Sequence, residues 1–206
     1  MGLSVCKINQ AISDFFCDHN EKSVVGVAVS GGSDSVALLL ALCKIIPAKN
    51  LKAVTVDHGL RTEAASEAVW VSQLCLTMGV DHNTLKANNL ALGPNLQARA
   101  RDVRYSLLAN WGQNCDVICL GHSQTDVAET FLMRLSRGSG VDGLASMASG
   151  WDHQNLSWAR PFLGLSREEL RHYLKANNQG WCEDPSNDDL KYKSCLLYTS
   201  PSPRDT

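Results

Sequence analysis

Val24-Val25-Gly26-Val27-Ala28-Val29-Ser30-Gly31-Gly32-Ser33-Asp34-Ser35-Val36-Ala37-Leu38-Leu39-Leu40-Ala41-Leu42 is the stretch whose reading decides the fold. Its first six residues are apolar and rich in β-branching, which suits a short strand buried on both faces. Ser30 to Ser35 then breaks the run with two glycines and three serines, the composition of a tight turn. Val36 to Leu42 is apolar nearly all round and made of good helix formers, so it reads as a buried helix stopped near Pro47.

Outward from this unit the pattern recurs. Leu51 to Val56 reads as a strand, Thr62 to Met78 as a helix ending at Gly79, and His82 to Leu85 as a short strand. Asn95 to Trp111 reads as a helix, Asp116 to Leu120 as a buried strand, Asp126 to Arg137 as a helix and Trp158 to Phe162 as a last strand. Ser166-Arg167-Glu168-Glu169 has the form of a capping box and opens a helix to about Asn178, with Gly180 placed to end it. Strands alternating with helices predict an α/β, doubly wound, Rossmann-like parallel sheet with right-handed crossovers. Gly138 to Asn155, rich in Gly and Ser, is the expected long surface loop.

The bulk numbers bound what such a fold can do. A chain of 206 residues has room for one α/β domain and a short appendage, and 44% hydrophobic with 19% charged residues fits a soluble globular protein. No apolar run approaches the roughly 18 residues of a membrane span, and the N-terminus lacks the pattern of an export signal or lipid anchor. The expectation is a cytoplasmic protein with no membrane partner; the sequence is silent on its oligomeric state. Eight cysteines spread without a C-x-x-C pair read as reduced thiols rather than a disulfide frame or a metal cluster. A net charge of -2 excludes nucleic-acid binding by overall positive charge, so any RNA contact has to be a local patch.

Four groups of residues carry chemistry. In the first, Ser30, Gly31, Gly32, Ser33, Asp34 and Ser35 lie between a strand and a helix N-terminus, where backbone N–H groups and the helix dipole favour a phosphate. The turn lacks the Lys of a G-x-x-x-x-G-K-[ST] loop and the third Gly of G-x-G-x-x-G. Asp34 would repel phosphate there unless Mg²⁺ lies between them, which makes it the candidate metal ligand. In the second, His58 and Arg61 stand just beyond a strand end, the edge where open α/β sheets bind ligands. Third, Arg101 and Arg104 fall three apart on one expected helix face beside Tyr105, spaced to contact phosphate or RNA. Last, His122, Asp126 and Glu129 are spaced to share a helical face, where the two acids could hold Mg²⁺, recognise an ammonium group or take its proton. Pairing with Arg134 or capping the helix is the structural alternative for them.

The S-G-G-S-D-S string after a strand resembles the signature of the N-type ATP pyrophosphatases, or PP-loop superfamily, which split ATP to AMP and pyrophosphate. Within that class, Val56 to Arg61, Gln97 to Tyr105, Gly121-His122 through Arg137-Gly138-Ser139-Gly140, and Glu183-Asp184-Pro185-Ser186-Asn187 are similar to the tRNA(Ile)-lysidine synthetase family. The resemblance spans about residues 20 to 193. It implies an adenine nucleotide alpha-hydrolase-like fold and a ligase that adenylates the wobble cytidine of a tRNA(Ile) with a CAU anticodon. L-lysine then joins through a C–N bond, releasing AMP and pyrophosphate. It further implies ATP and Mg²⁺ as cofactors, His58 and His122 beside the nucleotide, Asp34, Asp126 and Glu129 in catalysis, and Arg61, Arg101, Arg104 and Arg137 toward tRNA or phosphate. A PP-loop tRNA thiolase and an ATP-binding domain without turnover are the alternatives.

Two departures stand out. The family shows two adjacent aspartates where this chain has Thr125 before Asp126, which puts the first carboxylate's contribution in question. After Lys193 the resemblance and the periodicity both stop, and Ser194 to Thr206 reads as an unrelated tail resembling translated cloning sequence. The expected division is an N-terminal helix in 1–22, the ATP pyrophosphatase domain in 23–193 and the tail in 194–206, with ATP binding but little lysidine formation expected of the chain as it stands.

Overall fold

The computed structural model describes residues 3–16, 23–59, 63–87, 96–136, 138 and 147–183. Among them are six strands: β1 (Val25–Ala28), β2 (Leu51–Asp57), β3 (Asp81–Lys86), β4 (Val117–Leu120), β5 (Gly150–His153) and β6 (Leu156–Ala159). They form one sheet in the order β3-β2-β1-β4-β6-β5. Every neighbouring pair is parallel except β5 with β6. The helices are α1 (Leu3–Phe16), α2 (Ser33–Cys43), α3 (Glu63–Thr77), α4 (Leu96–Trp111), α5 (Gln124–Ser136) and α6 (Arg167–Ala176).

The sheet is covered on both faces, and β4 shows how. Val117 and Cys119 join a core with Ile8 and Ile12 of α1, Leu38, Leu39 and Leu42 of α2, and Leu170, Tyr173 and Leu174 of α6. Ile118 and Leu120, one residue out of phase, join a second core with Leu108 of α4, Leu156 and Trp158. Period-two alternation with both faces apolar is what a central strand of a doubly wound sheet requires. Burying each of these large aliphatic side chains contributes roughly 1.5–3 kcal/mol.

Four local expectations need correction. The expected loop 138–155 contains β5, which pairs with β6 through a two-residue turn whose Gln154 and Asn155 have φ of 54° and 56°. That pair of positive φ values matches the twist of a hairpin, but Gln-Asn is a weaker signal of it than Asn-Gly. The last strand therefore ends at Ala159 and leaves Arg160 at its C-terminal end rather than inside it. The final helix stops at Ala176, and the left-handed residue that follows is Asn178, at φ 51°, not Gly180. Finally, α5 begins at Gln124, so His122 precedes the helix that carries Asp126 and Glu129. Arg61, Arg137 and the tail from 194 lie outside the described residues.

β1 and β4 are neighbours although β2 and β3 intervene in the chain, so the connections leaving their C-terminal ends diverge to opposite sides of the sheet. This is a topological switch point, the place where open α/β sheets bind ligands. Gly121, just past β4, makes the approach possible: a Cβ there would lie 2.9 Å from both Cα and N of Ser35. Even a methyl group would push the two strand ends apart.

Candidate active site

The turn after β1 is organised by its own hydroxyls. Ser35 Oγ accepts the Ser30 N–H at 3.1 Å and donates to the Gly32 carbonyl at 3.0 Å, which draws the loop into a closed ring. Gly31 sits at φ +93°, a region that costs other residues strain, and its carbonyl accepts the Cys182 N–H at 2.9 Å. Gly32 is the N-cap of α2 and offers no side-chain acceptor. The first-turn N–H groups therefore have no capping side chain and face outward at the positive end of the helix dipole, the arrangement of a phosphate cradle.

Asp34, in that first turn, accepts hydrogen bonds from Ser33 Oγ at 2.9 Å and from Ser123 Oγ at 3.0 Å. Ser123 is fully buried and its Oγ also lies 2.8 Å from Asp126, so one hydroxyl links the cradle to α5. Arg167 completes the cluster. Its guanidinium lies 3.4 Å from Asp34, 3.4 Å from Asp126 and 3.7 Å from Glu129. Asp126 also accepts the Ser123 N–H at 2.7 Å and so helps close the N-terminus of α5. Part of the capping alternative is thus real, and the acids also pair with Arg167.

Three helix N-termini, those of α2, α5 and α6, meet at this point. Thr125 Oγ1 accepts the backbone N–H of Arg167 at 3.3 Å, which ties the start of α6 to the start of α5. In this chain the position before Asp126 thus serves a helix end. Ser166 and Glu169 form the expected capping box, with Ser166 Oγ accepting the Glu169 N–H at 3.2 Å and Glu169 accepting the Ser166 N–H at 3.0 Å.

His122 does not join the acids. Its Nδ1 accepts from Arg160 Nε at 3.1 Å, and burial, with Arg160 and Arg104 adding, lowers its pKa to about 4, so the ring is neutral near pH 7. Arg160 is only 7% exposed, and it also donates to the Ala148 carbonyl at 2.8 Å. Arg104 lies on this side too, and burial pushes it below the usual guanidinium value. Arg101 instead reaches out over the Tyr105 ring at 5.2 Å. His58 has a buried Nδ1 without a hydrogen-bond partner, and burial with Arg104 lowers its pKa. A neutral imidazole with an orphaned nitrogen at a strand end fits a ligand hydroxyl or amine.

Asp34 beside an open helix N-terminus fits a Mg²⁺ that draws most of its ligands from phosphate oxygens. An all-protein cage does not fit: among the described residues no three His, Cys, Asp or Glu side chains are grouped to hold a metal. The thiols read as reduced are free among the described residues, and burial raises Cys43 to about 11 and Cys75 to about 12.

Sequence reasoning missed Arg167, Ser123 and Arg160. A cation at the first position of a helix opposes the dipole, and that conflict was a signal that Arg167 answers to nearby acids. An arginine inside an apolar run, as at Arg160, was another.

The PP-loop domain family matches residues 4–200. Curated relatives named tRNA(Ile)-lysidine synthase are 45% identical over 172 residues in Ruegeria pomeroyi and 43% identical over 187 residues in Zymomonas mobilis. These matches cover 82% and 86% of this chain but 41% and 56% of those relatives, so the chain spans about half their length. Among solved structures, the U34-tRNA thiolase NcsA from Methanococcus maripaludis superposes with a TM-score of 0.74 at 18% identity, over 94% of this chain and 71% of that one. The NH3-dependent NAD synthetase of Campylobacter jejuni reaches 0.54 at 19% identity, over 96% of this chain and 88% of that one. At those identities the structures speak to the fold alone. No helix among the described residues is long and apolar enough to cross a membrane. A strand, a serine-ringed glycine turn and an uncapped helix at the switch point of a mostly parallel sheet, together with the match across most of its length, identify the chain as a member of the PP-loop domain family.

Proposed function

We propose that this chain carries the ATP-dependent chemistry of a tRNA(Ile)-lysidine synthetase. In this reading ATP lies over Ser30 to Ser35, and a cytosine carbonyl oxygen of the tRNA attacks the α-phosphate to give an adenylated base and pyrophosphate. The amine of L-lysine then displaces AMP and forms the C–N bond. Mg²⁺ held by Asp34 and the phosphates would neutralise charge as pyrophosphate leaves.

The observation that carries the reading is the acid cluster joined to the cradle through Ser123. It already holds a guanidinium, which stands in for an incoming ammonium group, and Asp126 and Glu129 lie three apart on α5 to receive one. A carboxylate there also suits the proton that lysine must lose before its amine can attack. Neutral His122 and His58 suit the uncharged parts of a nucleotide, and Arg101 and Arg104 suit phosphate. The nearby relatives at 43–45% identity favour lysine transfer over the sulfur transfer of a thiolase. Such a reaction belongs in the cytoplasm, with its tRNA.

The test follows labelled lysine and ATP together, with a tRNA(Ile) transcript as acceptor. The expected outcome for the chain as it stands is a small amount of lysidine, with each lysine incorporated matched by one AMP and pyrophosphate release that requires the tRNA. Lysine-independent AMP formation with sulfur transfer would sink the assignment, and ATP binding with no pyrophosphate release would mark a binding domain.

A further inference from the structure

The cradle is also held from outside its own loop. β1 leaves the sheet after Ala28, whose partner on β2 is Val54, while β2 runs on to Asp57 still paired with β3. Thr55 therefore stands beside the chain at the point where strand becomes loop. Val54 and Val56 flank it, so strand formation alone does not call for a hydroxyl here. Thr55 is buried all the same, and a buried hydroxyl is costly unless it is hydrogen-bonded.

Its partners run in one direction. Thr55 Oγ1 donates to the Val29 carbonyl at 2.8 Å. A hydroxyl carries a single proton, so its 2.9 Å contact with His82 Nε2 has the ring as donor. Burial lowers the pKa of His82, which leaves a neutral ring with its proton on Nε2 near pH 7. A relay from His82 on β3 through Thr55 on β2 thus ends on the carbonyl just before Ser30.

That carbonyl matters because a loop binds an anion with its N–H groups forward and its carbonyls turned away. Three carbonyls around this loop are drawn back by donors. Val29 is held by Thr55, Gly31 by the Cys182 N–H at 2.9 Å, and Gly32 by Ser35 Oγ and the Val36 N–H, each at 3.0 Å. Ser35 and Val36 belong to the turn itself, and Cys182 donates through its backbone. Among these contacts, only Thr55 reaches the loop with a side chain from another strand.

We propose that Thr55 is a positioning residue for the nucleotide: backed by His82, it holds the Val29 carbonyl away and so aims the N–H groups of the loop at the phosphates. The assignment rests on the reading that ATP lies over Ser30 to Ser35, and extends it to β2 and β3.

The experiment measures binding of ATP and of pyrophosphate, each with Mg²⁺, to the full chain by calorimetry, and of adenosine by competition with labelled ATP. Thr55→Val keeps shape and burial but removes the hydroxyl. It is expected to weaken pyrophosphate and ATP binding about five- to tenfold and to leave adenosine unchanged, with Thr55→Ser restoring both to within about twofold. A merely structural hydroxyl would weaken adenosine and pyrophosphate alike, or lower the melting temperature alone; either result would overturn the proposal. So would a Thr55→Ser variant as weak as Thr55→Val. His82→Phe reads the relay from its half-buried outer end and is expected to weaken pyrophosphate binding about two- to threefold. If Thr55→Val does not fold, unchanged pyrophosphate binding in His82→Phe would overturn the proposal by itself. No binding of ATP or pyrophosphate by the unaltered chain would overturn this inference and the ligation reading together. Pyrophosphate binding that depends on Thr55 in a chain that never transfers lysine would remove the ligation reading and leave this one standing.

Discussion

At the N-terminus of α5, Asp34, Asp126 and Glu129 share the guanidinium of Arg167. Just before that helix, Arg101, Arg104 and Arg160 act on His122, whose ring burial keeps neutral, and no carboxylate is ion-paired to these arginines among the described residues. The acidic side is internally compensated and so can exchange one cation for another at modest cost. The basic side is not, and gains only when an anion comes from outside. A place suited to an amine thus adjoins a place suited to an anion at the start of one helix.

The sharpest way to break this comparison is at Asp34, the acid nearest the cradle. Asp34→Asn is expected to reduce pyrophosphate release by about a hundredfold or more while circular dichroism stays unchanged, because charge stabilisation at a reacting phosphate is lost. Turnover that remains Mg²⁺-dependent at the normal rate would refute the role. Glu129→Gln is expected to raise the apparent lysine KM about tenfold, the scale of one charged hydrogen bond, with ATP affinity near normal. A loss of ATP affinity alone would move Glu129 to the nucleotide side.

Arg167 tests whether the compensation is exchangeable. Removing the competitor in Arg167→Gln is expected to tighten lysine binding about three- to tenfold by calorimetry. Weaker binding would mean that the guanidinium positions the acids instead of standing in for the substrate.

The basic side predicts a pH dependence. His122 is depressed in the fold, so between its ordinary value of 6.5 and about 4 the unfolded chain holds more protons than the folded one. Stability should therefore fall as pH drops through that window, by on the order of 2 kcal/mol from His122, and level off below it. His58 and His82, lowered by burial, act in the same direction. Denaturant melts of His122→Gln should show a shallower fall. Glu169, held to about 2 chiefly by its hydrogen bond from Lys7, keeps its stabilisation above 4.5 and loses it only as pH falls below that, largely beneath the His122 window. The smallest effect expected is that of Ser166→Ala: loss of a cap worth about 1 kcal/mol, and a melting temperature roughly 2–4 °C lower.

The sheet was legible because its strands are apolar on both faces and its helices are bounded by recognisable turns; Val25–Ala28 and Val117–Leu120 needed no tertiary information. β5 was not, because Gly150 to His153 carries little β-branching and is held by pairing to β6 alone. The cradle and the acids could be read from spacing, since both are local. Arg167 and Arg160 could not, because their partners lie in other elements: Asp34 is 133 residues from Arg167, and His122 is 38 from Arg160. His122 was misplaced for the opposite reason, that helical spacing was extended two residues before the helix begins.

The meeting of three helix N-termini at the acid cluster has a consequence for how the site could be altered. Each contributes about half an elementary positive charge, carried by peptide groups and not by any side chain. That part of the field is fixed by the path of the backbone and survives every substitution that preserves the fold. Stripping Asp34, Asp126 and Glu129 of charge together would leave no inert hole; it would uncover a cationic one, suited to anions.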